Sequence, residues 1–145
     1  MDFMTGLRVS SSGMTAQRRR MNAISSNIAN INTTRTPEGG PYRRKQVQLE
    51  AMPDAKSFAD MMLSNPEKKV SRVQVTDVLS DRAAPLLKYE PDHPEADENG
   101  YVAYPNINLM VEMADMIQAN RTYDANVSAL NATKDMALKA LEIGR

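Results

Sequence analysis

The sequence contains no cysteine, no tryptophan and one histidine. Without thiols, disulfides, thiolate catalysis and cysteine-ligated metals are excluded. The compartment stays open, because a disulfide-free chain is at home in cytosol or periplasm. Aromatic residues make up 5% of the chain, so a thick aromatic core is not expected, while eleven methionines supply soft apolar surface that can repack. No run approaches the ~18–20 apolar residues that span a bilayer, so no direct membrane insertion is expected. The opening MDFMTGLRVSSSGMTAQRRR lacks the continuous apolar stretch of ~7–15 residues typical of a secretory signal. Export, if it occurs, is expected without a cleaved signal peptide.

Positive and negative charge balance overall, with 18 of each, but not locally. Residues 1–50 carry eight basic and three acidic groups, net +5, and residues 51–106 carry six and ten, net −4. Such asymmetry suits either the ordering of neighbours in an assembly or plain solubility.

The familiar catalytic and ligand-binding patterns are missing. His93 stands in EPDHPEADENG with Asp92, Glu95, Asp97 and Glu98, which are metal-ligand types. Pro91 and Pro94 stiffen that segment, however, and an EF-hand counted from Asp92 would place Asp97 where glycine is needed. A solvated acidic turn is the expectation, with no metal and no cofactor. No serine lies in GxSxG, and no GxxxxGK[ST] or GxGxxG is present, so no enzymatic activity is expected. The basic clusters Arg18–Arg20 and Arg43–Lys45 lack interleaved aromatics on one face, which argues against nucleic acid. Solvation, or pairing with acidic neighbours across an interface, suits those arginines better. Four N-x-S/T triplets, starting at Asn32, Asn120, Asn126 and Asn131, read as chance.

What the chain does contain is a pattern of sevens at both ends. Leu7, Met14, Met21 and Ile28 share one position, and Ser10, Gln17, Ile24 and Ile31 another, with Phe3 one heptad earlier. Near the C-terminus, Leu109, Met116, Tyr123, Leu130 and Ala137 repeat the first set, and Met113, Asn120, Val127, Lys134 and Leu141 the second. Steps of three and four mark helices that pack side by side. At ~1.5 Å per residue the arms would be roughly 43 and 55 Å long. Ser10, Gln17, Asn120 and Lys134 interrupt the seams, so each arm is expected to need neighbours.

Between the arms the period changes. Gln46–Leu49 and Val73–Thr76 alternate polar and apolar, and Tyr101–Tyr104 is aromatic and β-branched, all suited to short strands. Glu38–Pro41 and Glu98–Gly100 are turn chemistry. Residues 54–66 predict a short helix around Phe58, Met61 and Met62. The expected fold is mainly α with a small β-rich insert. An N-terminal arm (1–36) and a C-terminal arm (107–145) would pair as a coiled-coil-like α-domain, and residues 37–106 would form the central β-rich insert.

One stretch resists a purely propensity-based account. SSNIANINTTRTPEGGPYRRK interleaves Asn27, Asn30 and Asn32 with isoleucines at helical spacing, although asparagine competes for nearby backbone groups. Its amides can satisfy polar groups in crowded helix contacts, and asparagine tolerates the bend where a helix becomes a loop. Physical chemistry thus points to a chain made for assembly without naming the assembly.

The same residues resemble the N-terminal signature of bacterial flagellar rod and hook proteins. The shared pattern here is Ser12-Gly13, Ala16-Gln17, Asn27-Ile28-Ala29-Asn30, Thr33-Thr34 and Tyr42-Arg43. The extension through Gly39, Gly40 and Pro41, and the downstream PDHPEADENGYVAYPNINLMVEMADMIQANRTYDANVSALNATKDM, are similar to rod members in particular. The resemblance implies a structural subunit of the proximal rod, in the periplasmic part of the basal body, where it would transmit torque and line the export channel. Implied partners are further copies of the chain, other rod proteins, membrane-ring or rod-adaptor proteins at the rod base, and the flagellar type III export apparatus. Leu7, Met14, Met21, Ile24, Ile28 and Ile31 would pack on Leu109, Met113, Met116, Tyr123, Val127, Leu130 and Leu141 of the same or adjacent subunits. A helical secretion-system adaptor or chaperone, or a different rod subunit, is the alternative reading.

Overall fold

The computed structural model describes residues 3–53 and 71–143. Its elements run α1 (Phe3–Ala29), β1 (Lys45–Pro53), β2 (Ser71–Ser80), β3 (Leu86–Tyr89), β4 (Tyr101–Tyr104) and α2 (Leu109–Ile143). Two long helices therefore flank a small antiparallel β region, as the change of period predicts. The helix anticipated at 54–66 lies outside the described residues, and β3 is an element the sequence pattern did not reveal.

Several hydroxyl residues of both helices are absorbed locally, whereas Gln17, one of the seam interruptions, keeps its side-chain oxygen buried with no hydrogen-bond partner among the described residues. Ser12 Oγ donates to the Val9 carbonyl at 2.8 Å and Thr15 Oγ1 to that of Ser11 at 3.0 Å. In α2, Thr122, Ser128 and Thr133 each return a hydroxyl to the carbonyl four residues earlier. Such back-bonding lets hydroxyl residues sit inside a helix without an unsatisfied group. Asn108 starts α2, its Oδ1 accepting from the Met110 N–H at 3.0 Å, which is ordinary N-cap chemistry. No helix among the described residues is long and apolar enough to cross a membrane.

The helices pack antiparallel, and their line of closest approach is small or polar. Gly6 faces Thr133, Gly13 faces Asn126 and Asn27 meets Glu112, so a rise of seven in α1 is matched by a fall of seven in α2. Ala119 continues the α2 series and is fully buried. This line lies one residue before the heptad position of Leu7, Met14, Met21 and Ile28, which flank it half-buried. Small residues permit close backbones, and the bulky side chains are displaced to either side. Among the described residues the buried apolar side chains are Ala16, Ile24, Val102, Pro105, Ile107 and Ala119, a thin core for these elements.

The β region consists of two separate two-stranded ribbons. β1 pairs with β2 from Lys45↔Ser80 to Pro53↔Ser71, with a bulge at Gln48/Leu49. This ribbon lies along α1, where the Val73 N–H donates to Ser12 Oγ at 3.2 Å. β3 pairs with β4 from Leu86↔Tyr104 to Tyr89↔Tyr101. Val102 and Ala103 of β4 sit against Thr34, Gly40 and Pro41 of the loop that follows α1. The acidic turn between β3 and β4 spends its groups on its own backbone. Asp97 Oδ1 accepts from the N–H groups of Asn99 and Tyr101 at 2.9 and 2.8 Å, and His93 Nδ1 accepts from that of Glu95 at 3.1 Å.

Candidate functional site

The asparagine-rich end of α1 and the basic turn after it come together on the first turns of α2. After Ala29 the helix is capped by Asn30, whose Nδ2 donates to the Ser26 carbonyl at 2.8 Å and whose Oδ1 accepts from Thr33 Oγ1 at 3.2 Å. The chain then closes a loop on itself. The Thr36 N–H donates to the Gly40 carbonyl at 2.9 Å, and that of Tyr42 to the Thr33 carbonyl at 3.0 Å. Gly39 and Gly40 make the reversal at φ of 89° and 76°, a region where a side chain would clash. This returns Tyr42 to the helix it left. Its hydroxyl lies 3.0 Å from Ser26 Oγ and donates to Asn27 Oδ1 at 3.2 Å.

Asn27 is the centre of the arrangement. Its side-chain amide pairs with the Lys45 peptide in both directions: Nδ2 donates to the Lys45 carbonyl at 2.9 Å, and Oδ1 accepts from the Lys45 N–H at 2.8 Å. The second Nδ2 hydrogen reaches Glu112 Oε2 at 2.9 Å. With Tyr42, four hydrogen bonds are made, using both donors and both acceptor positions of the amide. A helix side chain thereby takes the place of a neighbouring strand at the first residue of β1.

Glu112 is 1% exposed and carries the other half of the junction. Its Oε1 accepts from Arg44 Nε at 2.6 Å, and Arg44 Nη2 lies 3.6 Å from Asp115 Oδ2. Arg20 of α1 donates to Asp115 Oδ1 at 3.0 Å. Two basic and two acidic side chains from three segments thus neutralise one another, with the deepest carboxylate bonded at both oxygens. A buried carboxylate is tolerated only under such full satisfaction. These groups satisfy one another, which is the chemistry of a structural junction.

The residues singled out from sequence distribute unevenly about this junction. Asn27, Asn30, Thr33, Gly39, Gly40 and Tyr42 build it, and Pro41 and Thr34 face β4. Ala29 and Arg43 are exposed. Of the packing residues, Ile24 is fully buried; Leu7, Met14, Met21, Ile28, Ile31, Met116, Tyr123, Val127 and Leu130 are half-buried. Leu109, Met113 and Leu141 face solvent in the single chain, at 42, 48 and 72% exposure. Sequence reasoning missed Glu112 and the specific role of Arg44. The available signal was two carboxylates, Glu112 and Asp115, inside the otherwise apolar opening of α2, NLMVEMADM, where charge is out of place unless partnered.

Comparison with known proteins agrees with this architecture. Residues 7–35 match the family model for flagella basal body rod proteins, and residues 98–143 match that for the C-terminal region of flagellar basal body rod FlgEFG proteins. The chain is 42% identical over 144 residues to the flagellar basal-body rod protein FlgC of Bacillus subtilis, covering 96% of each. It is 39% identical to FlgC of Borreliella burgdorferi, covering 99% of this chain and 98% of the relative. For FlgC of Escherichia coli the identity is 40%, with 94% of each chain covered. The chain belongs to the FlgC family of flagellar basal-body rod proteins, structural subunits of the rod.

Proposed function

We propose that this rod subunit works in the proximal, periplasmic part of the rod, passing torque outward and lining the export channel through its paired terminal helices. Residues 1–36 and 107–145 act together as one coiled-coil-like α-domain, and residues 37–106 form the outer part. The partners on this reading are further copies of the chain, other rod proteins, ring or adaptor proteins at the rod base, and the type III export apparatus that delivers the chain without cleavage.

The observation that carries the reading is apolar surface left open on the helices. Leu109, Met110, Met113 and Ile117 follow one another along the start of α2 at 42–75% exposure, and Met136, Leu138 and Leu141 along its end at 50–72%. Contiguous apolar surface rimmed by polar residues marks an interaction site. Neighbouring helices would cover these stretches and bring Leu7, Met14, Met21, Met116, Tyr123, Val127 and Leu130 to full burial. The test is Met113→Asp, a change at an exposed position that leaves the single chain folded. In a strain lacking the native protein, the variant is expected to be made and exported but not to enter basal bodies, and cells should not swim. Normal swimming would refute this packing surface.

A further inference from the structure

None of the described residues of the β1–β2 ribbon is fully buried. Its seat on α1 rests on half-buried side chains such as Val47, Leu49, Val73 and Val75 and not on a fully buried core. An open cleft of about 530 Å³ lies between Val73 and Val75 and the helix, lined there by Leu7, Ser12, Thr15 and Ala16. Two directional contacts between described residues join the ribbon to the helices at its two ends. At one end the Val73 N–H meets Ser12 Oγ; at the other the Asn27 amide clasps the Lys45 peptide in both directions. The second contact alone uses a buried side chain, and that side chain is tied to α2 through Glu112 and from there to Arg44.

We infer that Asn27, Arg44 and Glu112 form a single-orientation joint: they are positioning residues that hold the ribbon at one angle and register on the helix pair, at a net cost in stability. The cost follows from desolvating a carboxylate and a guanidinium, whose attraction often fails to exceed it; well-packed apolar replacements of buried ion pairs are frequently neutral or stabilising. Apolar side chains lack direction, and a ribbon whose register is weakly specified can shift. In a rod subunit, on the reading proposed above, a loose ribbon would be a compliant point between the helices and the outer part.

The cysteine-free chain gives a direct test. Glu50→Cys in β1 and Ala125→Cys in α2, both exposed positions, would carry the only spin labels, and pulsed dipolar spectroscopy reads the distance between them. Measurements use the full chain, diluted in unlabelled chain, under conditions where circular dichroism shows both helices. The parent is expected to give one narrow distance population. The variant carrying Asn27→Leu, Arg44→Met and Glu112→Leu is expected to keep its helical content and to melt no lower than the parent, with a distribution that broadens or splits. Glu112→Gln, which keeps the side chain's shape and removes its charge, is expected to give an intermediate width. An unchanged narrow distribution in both variants overturns the joint, as does loss of helical content in the triple variant. The readout concerns the chain itself, so failure here leaves the rod reading intact, whereas normal swimming of Met113→Asp would strike that reading and leave the joint standing.

Discussion

At the Asn27–Glu112 end of the helix pair, three segments meet around buried, mutually neutralised polar groups. At the Gly6–Thr133 end the two helices meet through a glycine and a threonine methyl, and α2 then runs on with Met136, Leu138 and Leu141 exposed. At the first end every charged and polar group of the junction has its partner within one chain, although Leu109, Met110, Met113 and Ile117 beside it stay open. The second is incomplete, because no described segment of the chain is placed to cover its apolar side chains. The contrast separates two tasks: polar groups are buried where geometry must be unique, and apolar groups are left open where another molecule is to add.

The largest effect is expected from unpairing the closed end. Arg44→Ala strands the buried Glu112 carboxylate and should lower unfolding free energy by about 3–5 kcal/mol, the usual cost of breaking a buried ion pair. Urea unfolding followed by circular dichroism measures it. A loss below about 1 kcal/mol would place this pair with ordinary surface ion pairs.

Next come the glycines of the seam, which should differ in sign. A side chain at Gly13 would meet the Asn126 amide at 3.0–3.2 Å, and that amide is already held by its bond to the Thr122 carbonyl. Gly13→Leu should force the helices apart and cost about 1–3 kcal/mol. At Gly6 a Cβ would lie 3.7 Å from Thr133 Cγ2, an ordinary contact. Gly6→Ala should stabilise the helix by up to about 1 kcal/mol through propensity alone. Thermal melts of the two variants side by side would show whether the closest approach lies where the register places it.

A smaller, local effect is expected in the second ribbon. Gly100 has φ of 80°, and a Cβ there would sit 2.9 Å from the Tyr89 ring. Gly100→Ala should cost roughly 1–3 kcal/mol of backbone strain and accelerate amide exchange in β3 and β4 while leaving the helices protected.

The smallest effect is with pH. Hydrogen bonding first to Lys88 and then to Tyr104 holds the Glu90 carboxyl below its ordinary 4.5. The bond to Glu90 raises Lys88 above 10.5 and Tyr104 above 10.0. A lowered carboxyl stabilises the fold above 4.5 and loses that contribution as pH falls through its folded value; the raised groups lose theirs as pH climbs through theirs. Amide protection factors in β4, in which the intrinsic pH dependence of exchange is divided out, should thus be greatest and flat between these limits and fall modestly at both extremes.

Much of this was legible in the residues. The change from a seven-residue pattern to alternation at Gln46, and back near Leu109, marks the helix–β–helix order because side-chain period follows directly from backbone geometry. Gly39-Gly40-Pro41 announces a reversal for the same local reason. Leu86–Tyr89 escaped because LLKY is too short and too unlike an alternating run to show a period. The heptads located the flanks of the seam, with Leu7 and Met14, but not its centre, with Gly6 and Gly13. A pattern read from apolar residues cannot see a contact made by the absence of side chains.

By itself, then, the sequence determined which stretches become helix, strand and turn, and that no thiol chemistry takes part, since these depend on local sterics and composition. Only the tertiary structure decided that Asn27 clasps Lys45, that Arg44 finds Glu112 and that Leu141 stays in the open. Those outcomes depend on which segments arrive at the same place, and a buried charge is admitted only once a partner 68 residues away has come within hydrogen-bonding distance.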